Sequence, residues 1–311
     1  DNENDTGVAG QLSIKHHFFK TAKDWALDVN SHIDYVQQDF RNIEGLYNPE
    51  FNRDWNIEAP VGNQIVSDLG DQVFATAGAQ FSHPDKGELT YQFQHLNYNN
   101  TYEGSRQVFF TKLNLKRFQI YSNSSFLETD GLNSTSVFYR SDNRLKYSYN
   151  KGWSGVEIST EHNEKKTGEL NQLDPISQKF QSYEVFTGIG DCTKVFVKLG
   201  YIHRINDSLQ NNRLKKVNTS DTYYLNSKWI QTQKTNLSLY ANYRVFNPTN
   251  ASSSLQKSLN SRLQYSQKIA NNGIHWNTLF ETNSGRLPQQ DFTYVEVEPG
   301  QGSFVWFDYN E

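Results

Sequence analysis

Segment after segment of this chain alternates apolar and polar residues with a period of two, and that alternation restricts the possible folds more than any other feature. In "TNLSLYANYRVF", Leu237, Leu239, Ala241, Tyr243 and Val245 fall on one side, while Ser238, Tyr240, Asn242 and Arg244 fall on the other. Successive side chains of a strand point to opposite faces, so the pattern predicts strands with one apolar and one polar face. "DQVFATAGAQF", "GVEISTE", "KVFVKLGYIHR", "DTYYLNSKWIQ" and "GIHWNTLFETN" read the same way. "FFKTAKDWALDVNSHIDYVQQDF" carries part of a helical period, but alternation favours two strands there. Polar clusters such as "SHPDKG", "ETDGLNSTS", "EHNEKKTGELNQLDP" and "NDSLQNNRLKKVNTSD" predict turns and loops, alternately short and long, because Asn, Asp, Gly and Ser stabilise turn backbones. The expected fold is all-β, an antiparallel up-and-down meander of roughly twelve hairpin-linked strands.

What the two faces meet decides between a membrane and water. A transmembrane barrel strand needs about 9–11 residues with an apolar outer side and a polar lumen. A mean hydropathy of -0.78 beside 14% aromatic residues and 18 Tyr suits that description. A soluble sheet or sandwich with one buried face would show the same period. Aromatic residues near strand ends, at Trp153, Tyr201, Tyr223, Trp229, Phe246, Trp276 and Phe280, favour the membrane, where such rings collect at the interfaces. Ser227 and Ser261, which interrupt the apolar faces, oppose it. No run of about 18 apolar residues predicts a spanning helix. The expectation is an outer-membrane β-barrel or part of one. Residues 1–40 form a first hairpin, 41–70 a linker or plug-like segment, 71–293 the meander or barrel wall, and 294–311 the start of a loop segment.

Charge and motifs exclude several functions. Thirty Lys and Arg against 34 Asp and Glu give a net charge of -4, so there is no field to gather a phosphate backbone, and nucleic acid is not an expected partner. The single Cys192 allows no internal disulfide, and no spacing suits a structural zinc. "TGIGDCT" has Thr193 where a phosphate loop needs its third glycine, and "GWSGV" has Val156 where a nucleophile elbow needs glycine, which leaves Ser154 a turn residue. His16 and His17 are neighbours and so face opposite ways on a strand; Glu161, His162 and Glu164 could share a metal only if a loop gathered them. No catalytic set emerges, and the chain is expected not to be an enzyme.

Two stretches carry a resemblance. "DYVQQDFRNIEGLYNPEFNRDWNIE" (34–58) and "YVEVEPGQGSFVWFDYNE" (294–311) resemble markers of very large, mostly uncharacterised outer-membrane or cell-surface β-proteins of Bacteroidota. The first resembles an F-x-x-x-E linker ending in an E-F-x-R-D-W-N box, the second a V-G-Q-G…W-x-D-x-N-x-D-G segment followed by more chain. The resemblance covers these stretches directly and the interval between them in style only. It implies an outer-membrane or cell-surface location, with membrane lipid and other envelope proteins as partners. It further implies a role as pore, scaffold or subunit in a complex for transport or assembly of surface proteins, and a chain continuing past Glu311.

Within the box, Arg53 stands between Glu50 and Asp54 and can form charge-assisted bidentate bonds, while Phe51 and Trp55 can anchor the linker against the wall or inside a lumen. That makes the box a plug or hinge contact, or else a packed structural corner. Asp308 and Asn310 have the spacing of the first two oxygen ligands of a calcium loop, with an ordinary Asx turn as the alternative; no other cofactor is expected. Asp207-Ser208-Leu209 resembles the short acceptor that Bacteroidota O-glycosylate, in a predicted long loop, which makes Ser208 a candidate modification site. The rival expectation is a secreted or surface-tethered β-domain that binds glycan or a partner protein through aromatic loops.

Overall fold

The computed structural model describes residues 7–19, 24–40, 51, 54–57, 70–99, 101–168, 170–191, 195–249, 254–270 and 273–284. Its strands are β1 (Ala9–Phe18), β2 (Ala26–Val36), β3 (Gln72–His83), β4 (Gly87–Tyr98), β5 (Tyr102–Leu115), β6 (Phe118–Gly131), β7 (Ser134–Tyr149), β8 (Gly152–Thr167), β9 (Gln172–Leu173), β10 (Gln178–Gly190), β11 (Phe196–Gln210), β12 (Arg213–Gln231), β13 (Thr235–Pro248), β14 (Gln256–Ile269) and β15 (Ile274–Ser284). They form one antiparallel sheet in chain order, with the two-residue β9 paired to β8 beside the main path. The all-β up-and-down meander is therefore the fold of the chain. Among the described residues β1 and β15 are the two edges, and the sheet is open.

Among the described residues the strands number fifteen against the roughly twelve expected, and several polar stretches expected as loops lengthen the strands beside them. The 207–221 stretch belongs to β11 and β12, which meet at Asn211 and Asn212 alone. Both have positive φ, 53° and 57°, as a tight hairpin turn requires and Asn tolerates. β6 and β7 are likewise joined by Leu132 and Asn133 alone, and β8 continues to Thr167. Where both faces of a hairpin arm are polar, alternation has no apolar member to reveal it. Short turns thus occur at both ends of the sheet. The turns after β1, β3, β5, β7, β10, β12 and β14 define what we call the lower end. The longest connection, residues 37–71, leaves from the upper end.

Directly paired residues share a face, so the registers sort the side chains into two surfaces. One carries rows such as Val185, Tyr201, Tyr223, Tyr243 and Leu259, and below it Ile189, Val197, Ser227, Leu239, Leu263 and Phe280. The other carries rows such as Arg144, Glu157, Glu184, Ile202, Thr222 and Arg244. Burial is inverted with respect to a soluble sheet. The buried Leu96, Tyr98, Leu127, Phe138, Phe186 and Phe196 all lie on the polar face, whereas Val185 (58%), Leu199 (51%) and Phe280 (57%) on the apolar face are more than half exposed.

The strands are also staggered in one direction. A single row of paired residues passes from Phe18 in β1 through Thr111 in β5, Tyr183 in β10 and on to Lys257 in β14. Phe18 is the last residue of its strand, but β5 continues below the row to Leu115, β10 to Gly190 and β14 to Ile269. The row therefore climbs by about twelve residues, roughly 40 Å along the strand, across a sheet some 60 Å wide, which inclines the strands by about 30° to the line of turns.

Candidate functional site on the polar face

The box expected to be a plug contact supplies the best-packed cluster of the described chain. Phe51 and Asp54 to Ile57 form a single helical turn, closed by the Trp55 backbone N–H donating to the Phe51 carbonyl at 3.0 Å, and this turn lies on the polar face over β3 to β8. Trp55 is 1% exposed and packs with Leu96, Tyr98, Leu127 and Phe138. Its ring meets Phe74 edge-on at 5.8 Å and lies 5.9 Å from Phe51. The sheet makes room through Gly104, where a Cβ would come within 3.0 Å of the indole and 2.7 Å of the Tyr102 hydroxyl. That hydroxyl donates to the Trp55 carbonyl at 2.5 Å.

Polar groups fix the turn on either side of the indole. Asp54 accepts from the Arg140 guanidinium at 2.9 Å and faces Arg106 at 3.6 Å, so one carboxylate bridges β5 and β7. The Arg140 guanidinium also lies 4.4 Å over the Phe138 ring. Asn56, at a φ of 54°, exchanges amide hydrogen bonds with Asn163 of β8 at 3.1 and 3.3 Å. Glu50 and Arg53 lie outside the described residues. The Asp54 contacts that the structure does describe are to strand arginines, which no local spacing announces. Arg106 pairs with Leu127, and Arg140 pairs with Ser125, two residues along the same strand. Only the pairing register brings the two arginines to one point.

Elsewhere the polar face is a field of matched charges. Arg144 pairs with Glu157 at 2.6 Å, and Lys198 with Glu184 at 3.1 Å; Glu184 also accepts from the Tyr224 hydroxyl. Lys146 lies over Trp153, Lys198 over Phe186 and Tyr224, Arg204 over Phe180 and Arg244 over Phe246. Trp153 and Phe246 therefore point to the polar face and cannot belong to an aromatic border of the apolar one, unlike Tyr201, Tyr223, Trp276 and Phe280.

The remaining candidates disperse. Ser208 is exposed but lies in strand β11, paired with Lys215 and Gln178, and not in a long loop. Ser154 is a strand residue whose hydroxyl meets that of Thr187 at 2.8 Å. His162 and Glu164 share a face at 2.9 Å, but strand β8 turns Glu161 to the other, and no group of three potential metal ligands occurs among the described residues. Asp308 and Asn310 lie outside the described residues. Comparison with family models, with curated proteins and with solved structures finds no match to this chain.

Proposed function

We propose that the chain forms the wall of an outer-membrane β-barrel, without enzymatic activity, whose polar face lines a lumen and whose 51–57 turn narrows that lumen as a plug-like contact. The observation that carries this reading is the apolar face, which presents exposed large apolar side chains on every described strand of the main path. A soluble monomer rarely exposes more than a few hundred Å² of contiguous apolar surface. Lipid is the solvent in which this face is stable and in which a polar lumen accounts for the low mean hydropathy. Aromatic rings border the apolar band at both ends, as membrane interfaces favour. Trp25 stacked on Phe81, Phe118 beside Tyr147, and Trp276 lie at the lower end; Tyr139, Tyr183, Tyr201, Tyr223 and Tyr243 form the upper border. The strand inclination of about 30° approaches the roughly 35–45° of barrel strands.

Ser227 and Ser261 do not weaken the reading, because each is supplied with partners. The Ser227 hydroxyl donates to the Leu239 carbonyl at 3.0 Å and accepts from the Trp229 indole at 2.8 Å, and Ser261 bonds Thr282 at 2.7 Å. Placement in a Bacteroidota envelope complex that transports or assembles surface proteins rests on the resemblance of the box and of residues 294–311 alone.

Leu199→Arg tests the proposal. In a membrane this outward substitution costs about 2–4 kcal/mol near the midplane, whereas Thr222→Arg on the polar face is tolerated. Insertion into phosphatidylcholine vesicles, followed by urea titration, should separate the two variants by that amount. Equal stability of both, together with solubility of the unmodified chain without detergent, overturns the barrel reading in favour of a soluble β-domain.

A further inference from the structure

Charge on the polar face is matched unevenly between its two halves. Over β3 to β8, where the 51–57 turn lies, Glu88, Asp142, Glu157 and Glu161 stand among the cations of the polar face, and Asp54 is laid over them. β11 to β14 differ. They direct Lys198, Arg204, Lys228, Arg244, Arg262 and Lys268 to the polar face and no carboxylate among the described residues, since their acids, Asp207 and Asp221, fall on the apolar side. Glu184 of β10 takes up Lys198 at 3.1 Å, and Glu281 of β15 takes up Arg262 at 3.2 Å. Arg204 and Arg244 are exposed and held by neutral groups. The Arg204 Nε donates to Asn206 at 2.9 Å and its guanidinium lies 4.7 Å over the Phe180 ring, while that of Arg244 lies 5.5 Å over Phe246. Arg204 pairs with Ser220, which pairs with Phe246, two residues from Arg244, so the two arginines flank β12 with backbones about 12 Å apart.

We infer that the half of the lumen beside the turn, along β11 to β14, is a path for small anions. The inference rests on the barrel reading above and names the class of solute. A closed wall of more than about eight strands leaves an interior that side chains do not fill, so water and solutes have room beside the turn. Fixed charges of one sign on a low-dielectric wall concentrate counter-ions and repel co-ions, and rings of Arg and Lys select anions in pores by this means. Arg204 and Arg244 are separated by about one Debye length at 0.1 M salt, so their fields overlap. The net charge of -4 belongs to the whole chain; on these strands the register sets the sign that a solute meets. Because the turn narrows the passage, the solute is a small anion and not a polymer.

The experiment places the full chain in phosphatidylcholine bilayers under a KCl gradient and reads the reversal potential, with vesicle flotation as the measure of insertion. Chloride should permeate at least about threefold faster than potassium, and the preference should shrink as salt is raised and the charges are screened. Arg204→Glu with Arg244→Glu should abolish or invert the preference, and Arg204→Gln with Arg244→Gln should lower it without adding charge. Lys216→Glu with Lys257→Glu changes the net charge equally but on the apolar side of the wall, and should leave selectivity unchanged. An inserted chain that favours potassium or neither ion, that responds equally to both pairs of Glu substitutions, or that passes no current even when Trp55→Ala releases the turn overturns the anion path and spares the barrel. A chain that fails to insert overturns both.

Discussion

Trp55 is 1% exposed, while Trp229 and Trp276 on the apolar face are 54% and 58% exposed, so only one of these three indoles is available to anchor a segment by burial in protein. Trp55→Ala removes that anchor and leaves a void above Gly104; the expected loss is about 3–5 kcal/mol in the docking of the turn. Limited proteolysis within the 37–71 connection should accelerate accordingly, while β10 to β15 keep their protection from hydrogen exchange. Asp54→Asn tests the polar half of the anchor. It removes a charge-assisted bond worth about 1.5–3 kcal/mol and leaves the Arg106 and Arg140 guanidinia with no anion between them. A double-mutant cycle with Arg140→Gln should return a coupling of about 1 kcal/mol or more, and a coupling near zero removes the bridge from the account. At this scale the sequence was partly legible. Phe51 and Trp55 announced an anchor, since two large aromatic residues in a polar linker need somewhere to bury. The partners of Asp54 were hidden, because Arg106 and Arg140 converge only through a cross-strand register that no local spacing encodes.

Elements whose two faces meet different surroundings were visible as alternation, and elements whose faces meet the same surroundings were not. β13 displayed its pattern openly, whereas the upper arms of β11 and β12 passed for a loop because Asn206, Asp207, Ser208, Lys215 and Lys216 are polar on both sides. What holds those arms in register is the two-residue turn. Replacing Asn211 and Asn212 together with Val forces β-branched residues into positive φ, at roughly 1–2 kcal/mol each. The arms should then lose hydrogen-exchange protection at Leu209 and Leu214 while protection at Leu199 and Leu225 is kept. Asn212→Gly, by contrast, relieves the same strain and should leave the hairpin as stable or slightly more stable. Uniform loss over the whole strand pair in the Val variant would show that the arms are not an independent extension of the wall.

For the whole molecule, the stagger has a geometric consequence that neither face alone has. Strands inclined by about 30° in a bilayer give a specific amide I dichroism, so polarised infrared spectra of oriented membranes should return a mean tilt of roughly 30–40°. A flat sheet lying on the membrane surface would give strands near the bilayer plane. The same geometry bears on the two open edges. β1 runs from the upper end to the lower and β15 from the lower to the upper, so they are mutually antiparallel, and among the described residues the main path that they bound has an even number of strands, as closed transmembrane barrels do. An unpaired edge in lipid leaves a line of backbone groups without partners, which lipid does not tolerate. Lower turns brought level would set Phe18 near Ile274, and the apolar faces then match, with Leu12 and Ile14 beside Thr278 and Phe280. In the Cys192→Ser background, Ile14→Cys should therefore form an intramolecular disulfide with Thr278→Cys or with Phe280→Cys, seen as faster migration of the unfolded, unreduced chain. A link in one register only would fix the closure. Absence of any link, with the protein inserted and its strands tilted, would mean that both edges are satisfied by other strands and that these fifteen form an arc of a larger wall.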